Sequence, residues 1–243
     1  MQKYRLSGNA LKWIAAFFMV LDHVGVILLP NVLILRILGR LSFPIFAFMI
    51  AEGCRYTRNK ARYFFSVFGV GAVCQLALFL YNGSTEMNIL LTFSLSVLLI
   101  FAFSRFKEQL FAESSPLLYP LGGILLLAGL IFGVIWLDGR LDLDYGATGC
   151  MVPLFAALLH PPKERTDTAL HRLDRPLVHV LTMALGLLLL AVDDGGIQWY
   201  GLLALPLLML YSGKRGKWRM KYFFYVFYPA HLLALQGIAL LIL

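Results

Sequence analysis

Apolar runs of membrane-spanning length recur along the whole sequence, and no other feature limits its fold as much. Crossing a bilayer takes about 20 mostly apolar residues at about 1.5 Å rise each, and roughly nine stretches approach that length. They are Ala10–Leu29, Ile37–Gly53, Tyr63–Tyr81, Asn88–Ser104, Leu117–Leu137, Ala147–His160, Leu177–Val192, Ile197–Tyr211 and Tyr222–Ile242. The second, sixth and eighth are short and carry Pro44, Pro153 and Pro206, which points to tilted, broken or re-entrant segments. The expected fold is an all-α polytopic membrane protein of roughly nine transmembrane helices. Hydrophobic residues make up 60% of the 243 and charged residues only 14%, against about 25% charged in a soluble domain. A soluble globule, a disordered tail and a collagen-like fibre are thereby excluded. No linker divides the chain, so residues 1–243 read as a single integral-membrane domain.

The net charge of +8 would suggest nucleic acid in a soluble protein. Here it works first as a topology signal. With a cytoplasmic N-terminus and alternating sides, the cytoplasmic segments collect Lys3, Arg5 and Lys12, then Arg55–Arg62, Arg105 and Lys107, Lys163–Arg175, and Lys214–Lys221. That is 18 of the 21 Lys+Arg, with Arg36, Arg40 and Arg140 left over. The positive-inside rule selects a cytoplasmic N-terminus and an external C-terminus. The outer loops carry Glu86, Asp138, Asp142, Asp144, Asp193 and Asp194. Membrane lipid is the expected surface partner and nucleic acid is not. Asp22-His23 interrupts the first apolar run and no small-x-small cleavage site follows it, so that run reads as a retained span. Cys54, Cys74 and Cys150 are odd in number and lack motif spacing, which argues against a disulfide framework or a zinc site. Gly129 and Gly133 form one GxxxG, read as a helix-packing position.

Ionisable groups inside spans are costly, so each is a site candidate. Counted at about 1.5 Å per residue, His23 lies about 20 Å and His231 about 14 Å from the cytoplasmic face, so the two can meet near mid-membrane. Neutral imidazole can act as a base near neutral pH, or each ring can simply be a satisfied buried polar group. Asp22 can orient His23 or serve another partner, because adjacent helical side chains diverge by about 100°. Arg40 can grip a carboxylate or phosphate, or extend to the outer head groups. Glu52 reads as an interfacial carboxylate paired with Arg55 or Arg58. Asn88 and Thr92 share a helix face, and can position a substrate or bond between helices. Asp144, before Tyr145-Gly146, can cap a helix or present a carboxylate to an acceptor. The basic stretch ending at Lys221 faces either anionic lipid or an anionic cytosolic substrate. The aromatics around Tyr228 read as an interfacial belt.

These residues also carry a resemblance. Leu11-Lys12-Trp13-Ile14-Ala15 with Leu21-Asp22-His23-Val24-Gly25 resembles the opening of the TraX family. So do Gly39-Arg40-Leu41-Ser42-Phe43-Pro44, Glu52-Gly53, Tyr56-Thr57-Arg58-Asn59, Asn88-Ile89-Leu90-Leu91-Thr92, Asp144-Tyr145-Gly146 and Tyr228-Pro229-Ala230-His231. The motifs stand in the family's order over nearly the whole chain; Leu95-Ser96, in place of a Leu-Gly, is a small departure. The family is known for acetylating the N-terminus of F-type pilin and is similar to a wider group of membrane acyltransferases. The resemblance implies an integral-membrane acetyltransferase. Its donor would be cytoplasmic acetyl-CoA and its acceptor an extracytoplasmic peptide or glycan, with room for a homo-oligomer. In that reading His23 and His231 are the essential imidazoles, Asp22 supports them, and Arg40, Asn88 or Tyr228 stabilises the oxyanion. The competing expectation is a small proton-coupled transporter using the same intramembrane Asp and His.

Overall fold

The computed structural model describes residues 5–112, 116, 118–162, 169–217 and 221–242. Lys3, Lys163, Arg165 and Arg219, four of the residues used to assign topology, lie outside the described residues, as does the Lys221 side chain. The helices are α1 (Gly8–Ile27), α2 (Leu33–Gly39), α3 (Ser42–Tyr56), α4 (Lys60–Asn82), α5 (Ile89–Leu110), α6 (Leu118–Leu141), α7 (Gly146–Ala157), α8 (Ala169–Arg172) and α9 (Pro176–Asp194). A 3-10 helix, Gly196–Ala204, leads into α10 (Leu205–Met209), and α11 (Lys221–Ile242) follows. There is no sheet among the described residues, only two isolated bridges.

Seven helical stretches among the described residues are long and apolar enough to cross a membrane. The protein is an all-α, multi-pass membrane protein. The remaining two expected spans, the sixth and eighth, are the short apolar helices Gly146–Ala157 and Gly196–Met209. The second expected span is longer than its apolar core suggested, running over Leu33–Tyr56 with a break at Arg40–Leu41 between α2 and α3. That break precedes Pro44, which falls in the first turn of α3, where an absent N–H costs nothing. The apolar surface of these helices points outward. On α6, Leu125 is 71% and Phe132 69% exposed, as a bilayer requires and water forbids.

The described residues divide into two compact units, one of residues 1–49 and 187–243 and the other of residues 50–186. In the first, α1 packs on α2 and α11, and the 3-10 helix packs on α2 and α10. Gly25 and Gly39 permit the close approach of α1 and α2. A Cβ at Gly39 would stand 2.2 Å from Asp22 Oδ1, and one at Gly25 3.0 Å from Leu35 Cβ. The start of α1 is tied by backbone bonds to the last basic loop, Gly8 N–H donating to Lys214 O at 2.8 Å and Asn9 N–H to Arg215 O at 2.9 Å. Two basic segments expected on one membrane side therefore do meet.

In the second unit α5 is central, packing on α4, α6 and α7. Its N-terminus is capped by Asn88, whose Oδ1 accepts from Leu90 N–H at 3.1 Å. Ser96, at the Leu95-Ser96 departure, donates its hydroxyl to Cys150 O at 2.8 Å, so the extra oxygen tethers α5 to α7. Cys54, Cys74 and Cys150 are buried and form no disulfide among the described residues. Among the described residues the packing expected at Gly129 and Gly133 is not found, because a Cβ at either would meet nothing within 4 Å. On so exposed a helix the small residues face outward.

Candidate active site

Two polar groupings depart from α1, one on each of two neighbouring faces. On one, His23 Nδ1 lies 3.0 Å from His231 Nε2 of α11, and the rings sit 4.9 Å apart at 51°. His231 Nδ1 lies 2.9 Å from Phe227 O, one helical turn back. A carbonyl oxygen only accepts, so Nδ1 of His231 carries its proton. In the neutral ring Nε2 is then an acceptor, and it takes the Nδ1–H of His23. The lone pair of His23 is thereby left on Nε2. Phe227 stacks on His231 at 11° with centroids 5.3 Å apart, and Tyr228 meets it edge-on at 5.8 Å. These contacts fix the His231 ring plane, and with it the direction from which it accepts.

On the other face stands Asp22. Its Oδ2 accepts from Arg36 Nη1 at 2.7 Å, and its Oδ1 lies 3.7 Å from Arg40 Nη2. Arg36 and Arg40 are four residues apart on consecutive turns, so both guanidiniums reach one carboxylate. Arg40 Nη1 also donates to Gln198 Oε1 at 3.4 Å, and Gln198, on the 3-10 helix, is buried. Arg40 thus lies between Asp22 and Gln198. Asp22 serves the arginines, as its 100° offset from His23 permits. Both guanidiniums act electrostatically on His23.

The other expected site residues lie in the second unit. Asn88 and Thr92 bond between elements. Asn88 Nδ2 donates to Gly71 O at 2.9 Å and to Gln75 Oε1 at 3.0 Å, and Thr92 Oγ1 donates to Asp144 O at 2.9 Å. Asn88 is thus occupied as a cap and tether, and the oxyanion role considered for it has no free donor to rest on. Asp144 and Tyr145 precede α7. The cap position is Tyr145, at φ 62°, and Asp138 Oδ2 accepts the first-turn N–H of Ala147 at 2.8 Å. A left-handed tyrosine is strained, which marks this loop as held by its surroundings. Glu52 is buried. It pairs with Arg55 at 3.9 Å, as expected, but it also lies 3.6 Å from His160 Nε2, whereas Arg58 is exposed.

Sequence reasoning passed over Arg36 and Gln198. Arg36 had been counted only as a charge on the wrong side. The signal was available, since an intramembrane Asp22 needs a cation and Arg36 and Arg40 share a helix face. Gln198 carried no such signal.

The family model described as TraX protein matches residues 7–239. The chain belongs to the TraX family. It is 28% identical, over 93% of its length and 93% of the relative's, to a probable fimbrial assembly protein, FimC of serogroup H1, from Dichelobacter nodosus. It is also 26% identical to an uncharacterised Rickettsia prowazekii protein, over 63% of each chain. No solved structure matches this TraX-family chain.

Proposed function

We propose that this protein is an acetyltransferase of a bacterial cytoplasmic membrane, moving an acetyl group from cytoplasmic acetyl-CoA to an amine or hydroxyl on the outer side. The His23–His231 pair carries the reading. The lone pair on His23 Nε2 can take the proton of an incoming amine or hydroxyl, or can itself attack the thioester carbonyl. In either case His23 gains positive charge, and its Nδ1–H bond to His231 strengthens as it does. In this reading Arg40 and Arg36, which lie against Asp22, stabilise the oxyanion, and Tyr228 packs beside His231. The basic loops, including Arg58 and Lys221, supply cations for the phosphates of acetyl-CoA. The likeness to a fimbrial assembly protein, together with the family's link to pilin acetylation, makes a pilin-like N-terminus the first acceptor to try.

The experiment is incubation of the purified protein, in bilayer discs, with acetyl-labelled acetyl-CoA and a pilin-derived peptide. Transfer by the wild type and its loss in a folded His23→Ala variant support the reading. Label retained on the wild-type protein after acceptor removal identifies an acetyl-histidine step. Undiminished transfer in His23→Ala sinks the role of His23, and substrate flux into liposomes without acetyl-CoA points to a transporter instead.

A further inference from the structure

Within the second unit, α4 and α6 both pack on α5. At the end that the charge pattern places outside, they leave between them an open groove of about 660 Å³. It takes no part in the acetyl-transfer reading. One wall is a stripe down α4 of Phe68, Ala72, Leu76 and Phe79, whose spacing puts them on one helix face. Leu91 of α5 completes the apolar lining. Phe68, Leu76 and Phe79 are exposed, and α4 is long and apolar enough to span, so the groove opens sideways to lipid. From Phe68 to Phe79 the stripe covers about 16 Å at about 1.5 Å per residue. One leaflet of a hydrocarbon core about 30 Å thick is about 15 Å deep.

The mouth of the groove is polar. Thr85, from the loop after α4, lines it together with Arg140 and Asp142 from the end of α6. Backbone bonds hold the two loops together, Met87 N–H donating to Asp142 O at 3.0 Å and Asp144 N–H to Met87 O at 3.0 Å. Asp142 is left-handed, at φ 49°, a conformation that aspartate and asparagine tolerate better than most residues. The Arg140 guanidinium lies over the ring of Trp136, one turn back, at 5.3 Å from its centroid. Trp136 near the end of α6 and Tyr81 at the end of α4 are both exposed. Such residues sit at the head-group level of a bilayer. Arg140 and Asp142 thus stand at head-group level, over an apolar slot about one leaflet deep.

We propose that this groove binds one aminophospholipid from the leaflet at which α4 ends. One acyl chain lies along the α4 stripe, the phosphate on Arg140 and the primary ammonium against Asp142. The two opposite charges at the mouth argue against simpler occupants. A purely anionic head group would meet the Asp142 carboxylate, and like charges repel. A choline head group has no N–H to donate to that carboxylate. A water-soluble ligand would leave the apolar stripe uncovered. The bound lipid fills the gap between α4 and α6, and by binding the folded protein alone it stabilises that fold.

The test uses the full-length protein, stripped of lipid in detergent and then given equal amounts of phosphatidylethanolamine, phosphatidylcholine or phosphatidylglycerol. Native mass spectrometry reads lipid retention. A diazirine on the acyl chain of the phosphatidylethanolamine reports its place by photocrosslinking. Phosphatidylethanolamine is expected to be retained about ten-fold better than the other two, with crosslinks on Phe68–Phe79 or Leu91. Arg140→Gln and Asp142→Asn should each lower that retention by about ten-fold, while melting like wild type when lipid-free. Ala72→Trp fills the slot and should remove the crosslinks. Equal retention of the three lipids, preference for either of the others, unchanged retention in both charge variants, or crosslinks elsewhere overturn the site. Displacement by soluble phosphoethanolamine alone overturns the role of the acyl slot. Displacement by a pilin-derived peptide overturns the lipid as occupant and assigns the groove to a protein segment.

Discussion

His23 and His231 are 208 residues apart in sequence, and their ring nitrogens stand 3.0 Å apart. Because His231 is committed through Nδ1 to the Phe227 carbonyl, it accepts from His23 and directs the lone pair of His23 to Nε2. His23→Ala should lower acetyl transfer by about 10²–10⁴-fold, the usual weight of a positioned acid–base group. His231→Gln should retain more activity than His231→Ala, because its amide oxygen can still accept from Nδ1–H. Equal rates for the two His231 variants would contradict this tautomer assignment.

Asp22 and Arg36, at 2.7 Å, are a part-buried charge pair whose separate loss leaves an uncompensated charge. Asp22→Asn and Arg36→Gln should each destabilise the protein. The double variant should recover part of the loss, with a coupling of about 0.5–3 kcal/mol. Thermal unfolding in detergent measures the cycle, and strictly additive losses would exclude the coupling.

Glycines on α2 and α6 should respond in opposite directions. Gly39→Ala forces a Cβ to 2.2 Å from Asp22 Oδ1 and should cost about 1–3 kcal/mol by overpacking. Gly129→Ala meets nothing within 4 Å and should be neutral or stabilise by up to about 1 kcal/mol, through helix propensity alone. A destabilised Gly129→Ala would reveal a packing partner for α6.

Lys107 satisfies three carbonyls at the C-terminal end of α7. Lys107→Met preserves much of the side-chain volume but removes the donors. It should lower stability by about 1–3 kcal/mol and loosen the segment carrying His160. Hydrogen exchange of the backbone after Ala157 should rise selectively. Unchanged protection there would assign Lys107 no positioning role.

How much of the site was legible differs residue by residue. His23 and His231 stood out because an imidazole in an apolar run is anomalous, and counting rise per residue put them at similar depth. Arg40 was visible for the same reason. Asn88 and Thr92 were seen as polar residues on one face, but only the positions of Gly71, Gln75 and Asp144 settle their bonds as interhelical tethers. Asp138 gave no sign in the sequence of reaching the N–H of Ala147 at the start of α7, which it does where the loop turns through left-handed Asp142 and Tyr145. His160 and His179 passed unnoticed because each sits near the end of an apolar segment, where a polar residue is ordinary.

The sequence by itself determined that the chain is helical and membrane-spanning, because lipid leaves a backbone of this apolarity no other way to satisfy its polar groups. It also marked which few side chains are too costly to lie in lipid unpaired. Only the tertiary structure decided their partners: Asp22 with Arg36, His23 with His231, and His160 between His179 and Glu52. Hydropathy and helical rise fix a residue's depth along a span, whereas its facing neighbour depends on how each helix is rotated and packed. That rotation is set here by close approaches such as Gly39 on Asp22, which no periodicity in the chain records.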